Sequence, residues 1–478
     1  MGEPLWSWSA LDLAAAIRKR QISCRDATDS VLGRIAEVNP RINALAQVLV
    51  REAQLAADAA DRAVRAGEPL AALHGVPVTV KVNIDQAGCA TTDGSVALQD
   101  NVASSDSPPV ASLKRAGCVI VGRSNTPAYS FRWFTSNELH GRTLNPWNDG
   151  ITPGGSSGGA AAAVATGMGA IAHGNDYGGS VRYPAYACGV VGLRASAGRI
   201  AAHNATSASD RAITLQLMSV QGPLTRTVAD ARAALQAMAV ADARDPLWVP
   251  APLEFGPLES PLLVALFRRS TGSDVDPEVD AALEQAGRAL EAAGCAVEET
   301  EPPHFDEAAQ LWRTLVIDDQ RRSGIPELFE HGDAGVKTAL RFTLEGMGDT
   351  DRDSYLEGLA RRHTIARAWS LFFARYPVVL MPVSWRLPVP VDEDLKSRAA
   401  MEALMAAQSP LLATALLGLP GLSVPTGLVS GLPMGVQLVS GRFREDLCLL
   451  AGEHIERALG RIAPMSPRFG RQAATHRT

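Results

Sequence analysis

Pro261-Leu262-Leu263-Val264-Ala265-Leu266, then Asp276-Pro277-Glu278-Val279, and finally Gly294-Cys295-Ala296-Val297 read as strand, helix and strand in turn. The first segment is a short apolar run. Asp276 stands as an N-cap with Pro277 at the first helical position, where a missing N–H costs nothing, and Gly294 stops the helix. Val279, Leu283, Ala286 and Leu290 recur on one helical face between them. This is a βαβ unit, and its strand–helix–strand order sets the expectation for the whole chain.

Upstream, periodicity predicts helices over 8–20, 26–38 and 53–66, the last alanine-rich and ending near Gly67. A strand over 76–82 is rich in β-branched residues, the composition of a strand buried on both faces. A helix over 111–116, a strand over 118–121 and an irregular stretch over 123–147 follow, then a helix over 158–166 and a strand over 170–173. Thr227 caps a helix over 228–239. Strands over 378–381, 422–425 and 434–438 complete the pattern. Such alternation predicts an α/β fold: a single domain with a central mixed β-sheet covered by helices on both faces. The domain is expected over 1–465, with a core at 75–200, a more variable pocket region at about 240–400 and a flexible tail over 466–478.

The 478 residues are 46% hydrophobic and 20% charged, as in soluble globular proteins. A net charge of −6 argues against a nucleic-acid partner. Six scattered cysteines without a C-x-x-C pair suit reduced thiols better than disulfides or zinc. The first residues lack the basic and apolar regions of a signal peptide, and the apolar run at 160–172 is too short and interrupted to span a bilayer. A cytoplasmic location without membrane contact is expected.

Three pieces carry the chemistry. Gly154-Gly155-Ser156-Ser157-Gly158-Gly159 is followed by Asp176-Tyr177-Gly178-Gly179-Ser180, and Lys81 ends the run Gly75-Val76-Pro77-Val78-Thr79-Val80-Lys81. The first cluster matches G-x-S-x-G, but a nucleophile elbow needs a strand before it. Residues 144–153 are turn-formers. No Gly-Lys-Ser/Thr follows, so it is no phosphate loop either. Taken alone it reads as a flexible glycine-serine loop. The second cluster follows a strand, where a tight turn can aim N–H groups at an oxyanion while Ser180 attacks a carbonyl. A serine needs a base, and the nine histidines offer no obvious partner in local sequence. Lys81 is one of only five lysines among 45 basic residues. It reads either as a paired or snorkelling edge residue or as a base made neutral by burial. The second role needs a pKa lowered by roughly three units from about 10.4.

Together these motifs resemble the amidase signature family of serine hydrolases. Gly75-Val76-Pro77, Lys81, Asn83, then 152–159, then Asp176, Gly178-Gly179-Ser180, Arg182, Pro184-Ala185 and Cys188-Gly189 carry the likeness. Gly222-Pro223-Leu224 and the segment from Gly418 to Leu438 extend it. The resemblance implies a triad of Lys81, Ser156 and Ser180, with Ser180 the nucleophile, Ser156 a relay on a cis peptide bond and Lys81 the base. The N–H groups of Tyr177, Gly178, Gly179 and Ser180 would form the oxyanion hole. No metal or organic cofactor is implied. The chain departs from the family's commoner Lys-Asp-Asn at Lys81-Val82-Asn83, from Thr-Asp at Asn175-Asp176, and from Lys-Pro-Thr at Arg194-Ala195-Ser196.

The expected function is hydrolysis of the C–N bond of a small-molecule amide, or of a carbamate or ester, with a homodimer as the candidate assembly. An amidotransferase-type subunit feeding ammonia to a partner on tRNA is the alternative, and a silent binding protein is disfavoured by the intact triad. Phe131, Trp133 and Trp312, with Trp385, read either as walls of an apolar substrate pocket or as ordinary core aromatics.

Overall fold

The computed structural model describes residues 3–256, 261–269, 274–321, 324–348 and 350–469. Its strands are β1 Leu45–Val48, β2 Pro77–Lys81, β3 Val119–Ser124, β4 Ser136–Asn137, β5 Gly141–Arg142, β6 Ile171–Asp176, β7 Val191–Arg194, β8 Val220–Thr225, β9 Leu263–Leu266, β10 Ala296–Glu299, β11 Val378–Pro382, β12 Gly421–Val429 and β13 Leu432–Ser440. All but the β4–β5 pair join one 11-stranded sheet in the order β1-β3-β2-β6-β8-β7-β12-β13-β11-β9-β10. The sheet is mixed. Parallel blocks β3-β2-β6 and β11-β9-β10 flank an antiparallel centre. The fold is the single α/β domain that the pattern predicts.

The parallel pairing of β9 and β10 is the βαβ unit, joined by the helix Pro277–Ala292. Asp276 differs from expectation in one respect. Its carboxylate makes no cap bond and accepts instead from the Leu387 amide at 2.7 Å, tying the helix start to the loop after β11. Thr227 does cap its helix, accepting from Asp230 N. The stretch 240–400 supplies β9, β10 and β11 to the sheet. Between them the helices Phe305–Gln320 and Arg352–Arg375 pack together, the first also on Ser409–Leu416. Met465 and Phe469 accept hydrogen bonds from Arg34 and Arg41, both at 2.8 Å. Of the tail expected to be flexible over 466–478, residues 466–469 are tied to the domain by hydrogen bonds with Arg34, Arg41 and Gly431, and 470–478 lie outside the described residues. Among those described, no helix is long and apolar enough to cross a membrane.

Every residue of β2 is buried, because the strand lies between two parallel neighbours with helices above and below. Five strands escaped the sequence pattern: β1, β4, β5, β7 and β8. β8 contains Gly222-Pro223, residues that argue against a central strand. β7 ends in Arg194, a charged residue that is wholly buried.

Candidate active site

Parallel strands point their carboxyl ends the same way, and a crevice at those ends is where α/β sheets take ligands. Here β2 ends at Lys81, β3 at Ser124 and β6 at Asp176, so the lysine and the second glycine-serine cluster share one rim. The first cluster arrives there by close packing. A Cβ on Gly155 would collide with the backbone of Arg132, Trp133 and Phe134, so only glycine lets the loop pass. The Gly155–Ser156 peptide is cis. Ser157 N–H donates to Ser180 O at 3.1 Å, which binds the two clusters together.

Lys81 Nζ lies 2.6 Å from Ser156 Oγ and 2.7 Å from Asn175 Oδ1. Lys81 is fully buried and Ser156 is 1% exposed. Burial pushes the Lys81 ammonium down to about 7, against the opposing pull of Asp93 and Asp176. A neutral amine can donate to Asn175 and accept the Ser156 proton through its lone pair. The side chain is thus buried and not snorkelling, and burial lowers its pKa in the direction that a base made neutral requires. Ser180 sits at the turn between β6 and the helix Arg182–Cys188, partly open to a cavity.

That turn is organised by Asp176. Its carboxylate accepts from Gly179 N at 2.8 Å, and from Arg182 Nε and Arg194 Nη1, each at 3.0 Å. Burial would raise its pKa, but the two guanidiniums outweigh burial and hold the carboxyl well below the usual range. The Gly179 amide, expected in the oxyanion hole, is thus turned to Asp176 instead. Arg194 also donates to the carbonyls of Asp176 and Met218 at 2.6 and 2.7 Å. Asp176→Asn leaves two buried guanidiniums without their charge partner and should cost about 3–5 kcal/mol. Urea unfolding at neutral pH checks this, and an unchanged midpoint would refute it. Because the folded-state pKa is depressed, this stabilisation is present above the usual carboxylate range and fades as pH falls through the lowered value.

Sequence reasoning missed a second group of polar residues, Asp93, Thr126 and Ser130, that gathers around Asn83. Ser130 Oγ donates to Asp93 Oδ1 at 2.6 Å and accepts from Asn83 Nδ2 at 2.9 Å. Thr126 Oγ1 lies 3.1 Å from Ser130 and donates to the Ser156 carbonyl at 2.9 Å. Asp93, Tyr129 and Ser130 all take left-handed backbone conformations, with φ of 43°, 53° and 53°. Such strain in non-glycine residues gathers at functional sites. Enclosure raises the Asp93 pKa, opposed by the Ser130 bond and by Lys81.

Next to Ser180 opens a cavity of about 260 Å³. Phe131, Trp133 and Trp312 line it, with Val316, Ile317 and Leu328 deeper in. Trp385 does not. It is 2% exposed and packs edge-on against Phe267 and Phe305 in the core. The cavity falls just under the range of ordinary ligand pockets and suits one compact apolar group.

The sequence model of the family described as Amidase matches residues 26–449. The indoleacetamide hydrolase of Bradyrhizobium diazoefficiens is 44% identical over 461 residues, covering 96% of this chain and 88% of that protein. A subunit of the glutamyl-tRNA(Gln) amidotransferase from a Synechococcus species is 31% identical, covering 92% of this chain and 94% of its own. Among solved structures, a bacterial aryl acylamidase of the amidase signature enzymes matches with a TM-score of 0.81 and 27% identity, covering 95% of this chain and 97% of its own.

Proposed function

The chain belongs to the amidase family, whose members hydrolyse amide C–N bonds, and on that premise we propose that it acts through an acyl-enzyme on Ser180 with arylacetamide-type substrates. The observation that carries the mechanism is the contact of Lys81 Nζ with Ser156 Oγ at 2.6 Å, in a loop whose next residue, Ser157, is bound to Ser180 through its backbone. Ser180 Oγ bonds to the amide carbon while its proton passes to Ser156 Oγ, whose own proton passes to Lys81. Collapse of the tetrahedral intermediate expels the nitrogen, which takes the proton back along the same path. Water then repeats the sequence and frees the acid. The amides of Tyr177, Gly178 and Ser180 stabilise the oxyanion, while Gly179 braces the turn through Asp176.

Two observations support the substrate class. The cavity beside Ser180 is walled by aromatic residues. The relative at 44% identity is named for an indole-bearing acetamide. A panel of indoleacetamide, phenylacetamide, short aliphatic amides and glutamine tests it. Arylacetamides are expected to have kcat/KM about a hundredfold above short aliphatic amides, roughly the value of burying one ring. Activity confined to glutamine would instead favour the amidotransferase reading. Six free thiols, five of them buried, support placing the enzyme in a reducing compartment such as the cytoplasm.

Because Lys81 must be neutral to accept a proton, kcat/KM should rise with pH through an acid limb near 7. An ionised Asp93 favours the ammonium, so Asp93→Asn should move that limb to lower pH by about one unit. The charged and titratable groups facing this pair are Asp176, Glu327, Tyr129 and His173. All of them remain in the variant. A pH–rate profile that does not move would remove Asp93 from control of the base.

A further inference from the structure

Trp133 and Trp312 do more than wall the cavity. Trp312 Nε1 donates to the Tyr177 carbonyl at 3.1 Å, and Trp133 Nε1 donates to the Gly178 carbonyl at 3.0 Å. In a trans peptide the C=O and the following N–H point in opposite directions. Holding the Tyr177 carbonyl on Trp312 therefore sets the direction of the Gly178 N–H. Holding the Gly178 carbonyl on Trp133 sets the Gly179 N–H, which Asp176 receives at 2.8 Å. The next carbonyl, Gly179 O, accepts from Tyr183 N at 2.8 Å and so orients the Ser180 amide. Three consecutive peptide planes are thus pinned from their carbonyl sides.

Trp312 is itself firmly placed. Its ring meets Tyr177 edge-on at 5.5 Å, and a Cβ on Gly178 would come within 2.7 Å of its Cζ2, so glycine is what admits the indole. The helix Phe305–Gln320 that carries Trp312 reaches the turn a second time. Asp319 accepts from Thr214 Oγ1 at 2.7 Å, and Thr214 Oγ1 lies 2.6 Å from the Tyr177 hydroxyl. Backbone carbonyl and side-chain hydroxyl of Tyr177 are bracketed by one helix.

We propose that Trp133 and Trp312 are positioning residues for the oxyanion turn: Trp312 aims the Gly178 amide itself, while Trp133 fixes the next peptide plane, whose Gly179 N–H braces the turn on Asp176, so that the two indoles forming the acyl pocket also keep the transition-state donors in place. This rests on the Ser180 acyl-enzyme reading above. Its consequence is that occupancy of the pocket and electrostatic stabilisation share the same two side chains. An acyl group lying against the indoles holds them in place on the turn, which ties the rate of acylation to the fit of the acyl group.

The test is Trp312→Phe and Trp133→Phe, each assayed with an arylacetamide and with a short aliphatic amide that does not reach the aromatic walls. Phenylalanine keeps an apolar ring and removes the N–H. Loss of aim at an oxyanion donor should lower kcat by about tenfold to a hundredfold on both substrates. KM for the short amide should stay within about twofold, since that substrate loses no contact. The rate at which a fluorophosphonate labels Ser180 should fall in parallel, because its P=O occupies the same hole. A side chain that is only a wall gives the opposite split: KM for the arylacetamide rises, while kcat and labelling with the short amide are normal. That result overturns the proposal. If one variant does not fold by its thermal melt, the other carries the test. Labelling of a residue other than Ser180 in the unmutated protein would instead sink the acyl-enzyme reading itself, so the two failures are distinguishable.

Discussion

Ser180→Ala is expected to lower kcat for amide hydrolysis by about 10⁵- to 10⁶-fold, the scale on which removal of a serine nucleophile acts. The reason is local. Ser180 carries the only aliphatic hydroxyl on the turn Asp176–Ser180, whose geometry is set by Asp176 and by the Ser157–Ser180 backbone bond. Ser156 cannot replace it. The residue is 1% exposed and its Oγ lies against Lys81, where a substrate carbon has no room. The substitution removes one atom from a partly open position, so the fold and the substrate KM should stay close to those of the unmutated protein. Steady-state kinetics with a substrate binding assay checks this. A loss of less than about a hundredfold would mean that another group attacks.

Lys81→Ala should reduce amide turnover by about 10³- to 10⁴-fold. Its amine lies 2.6 Å from Ser156 Oγ, so without it the proton of Ser180 has no terminal acceptor. The loss should depend on the leaving group. An amide nitrogen cannot depart without gaining a proton, whereas an activated ester expels a stable anion. The variant is therefore expected to retain much more activity on a nitrophenyl ester than on an amide, and to lose the acid limb near 7 on both. Equal losses on amide and ester, or an acid limb that persists, would show that Lys81 does not carry the proton. Alanine also removes a buried amine from Asn175, leaving the amide oxygen without that donor. A thermal melt separates any loss of fold from loss of chemistry.

How much of this was readable beforehand follows from how local each signal is. The α/β alternation, the βαβ unit and the burial of β2 were visible because apolar runs and caps are short-range features. Lys81 stood out as a cation at the end of an apolar strand. Ser156 and Ser180 stood out through glycines that close packing demands. β8 was hidden by Pro223, which sits in a central strand opposite His173. Asn175 looked like a mere departure from the family pattern, yet its side chain holds the lysine amine. Asp93 and Ser130 gave no motif, since their meeting depends on a loop brought back beside β2. Arg194 likewise looked like a substitution, and only the fold reveals that it neutralises Asp176. The tryptophans were open to two readings, pocket walls or core aromatics. Their N–H groups could not be assigned from sequence, because Trp133 and Trp312 come to the turn from segments far apart in the chain.

The most direct measurement is peptide mass spectrometry after reaction with a fluorophosphonate probe. A single adduct on the peptide containing Ser180, absent in Ser180→Ala and formed slowly in Lys81→Ala, is the predicted result. An adduct on Ser156, or on any other residue at a comparable rate, would contradict the assignment of Ser180 as the nucleophile.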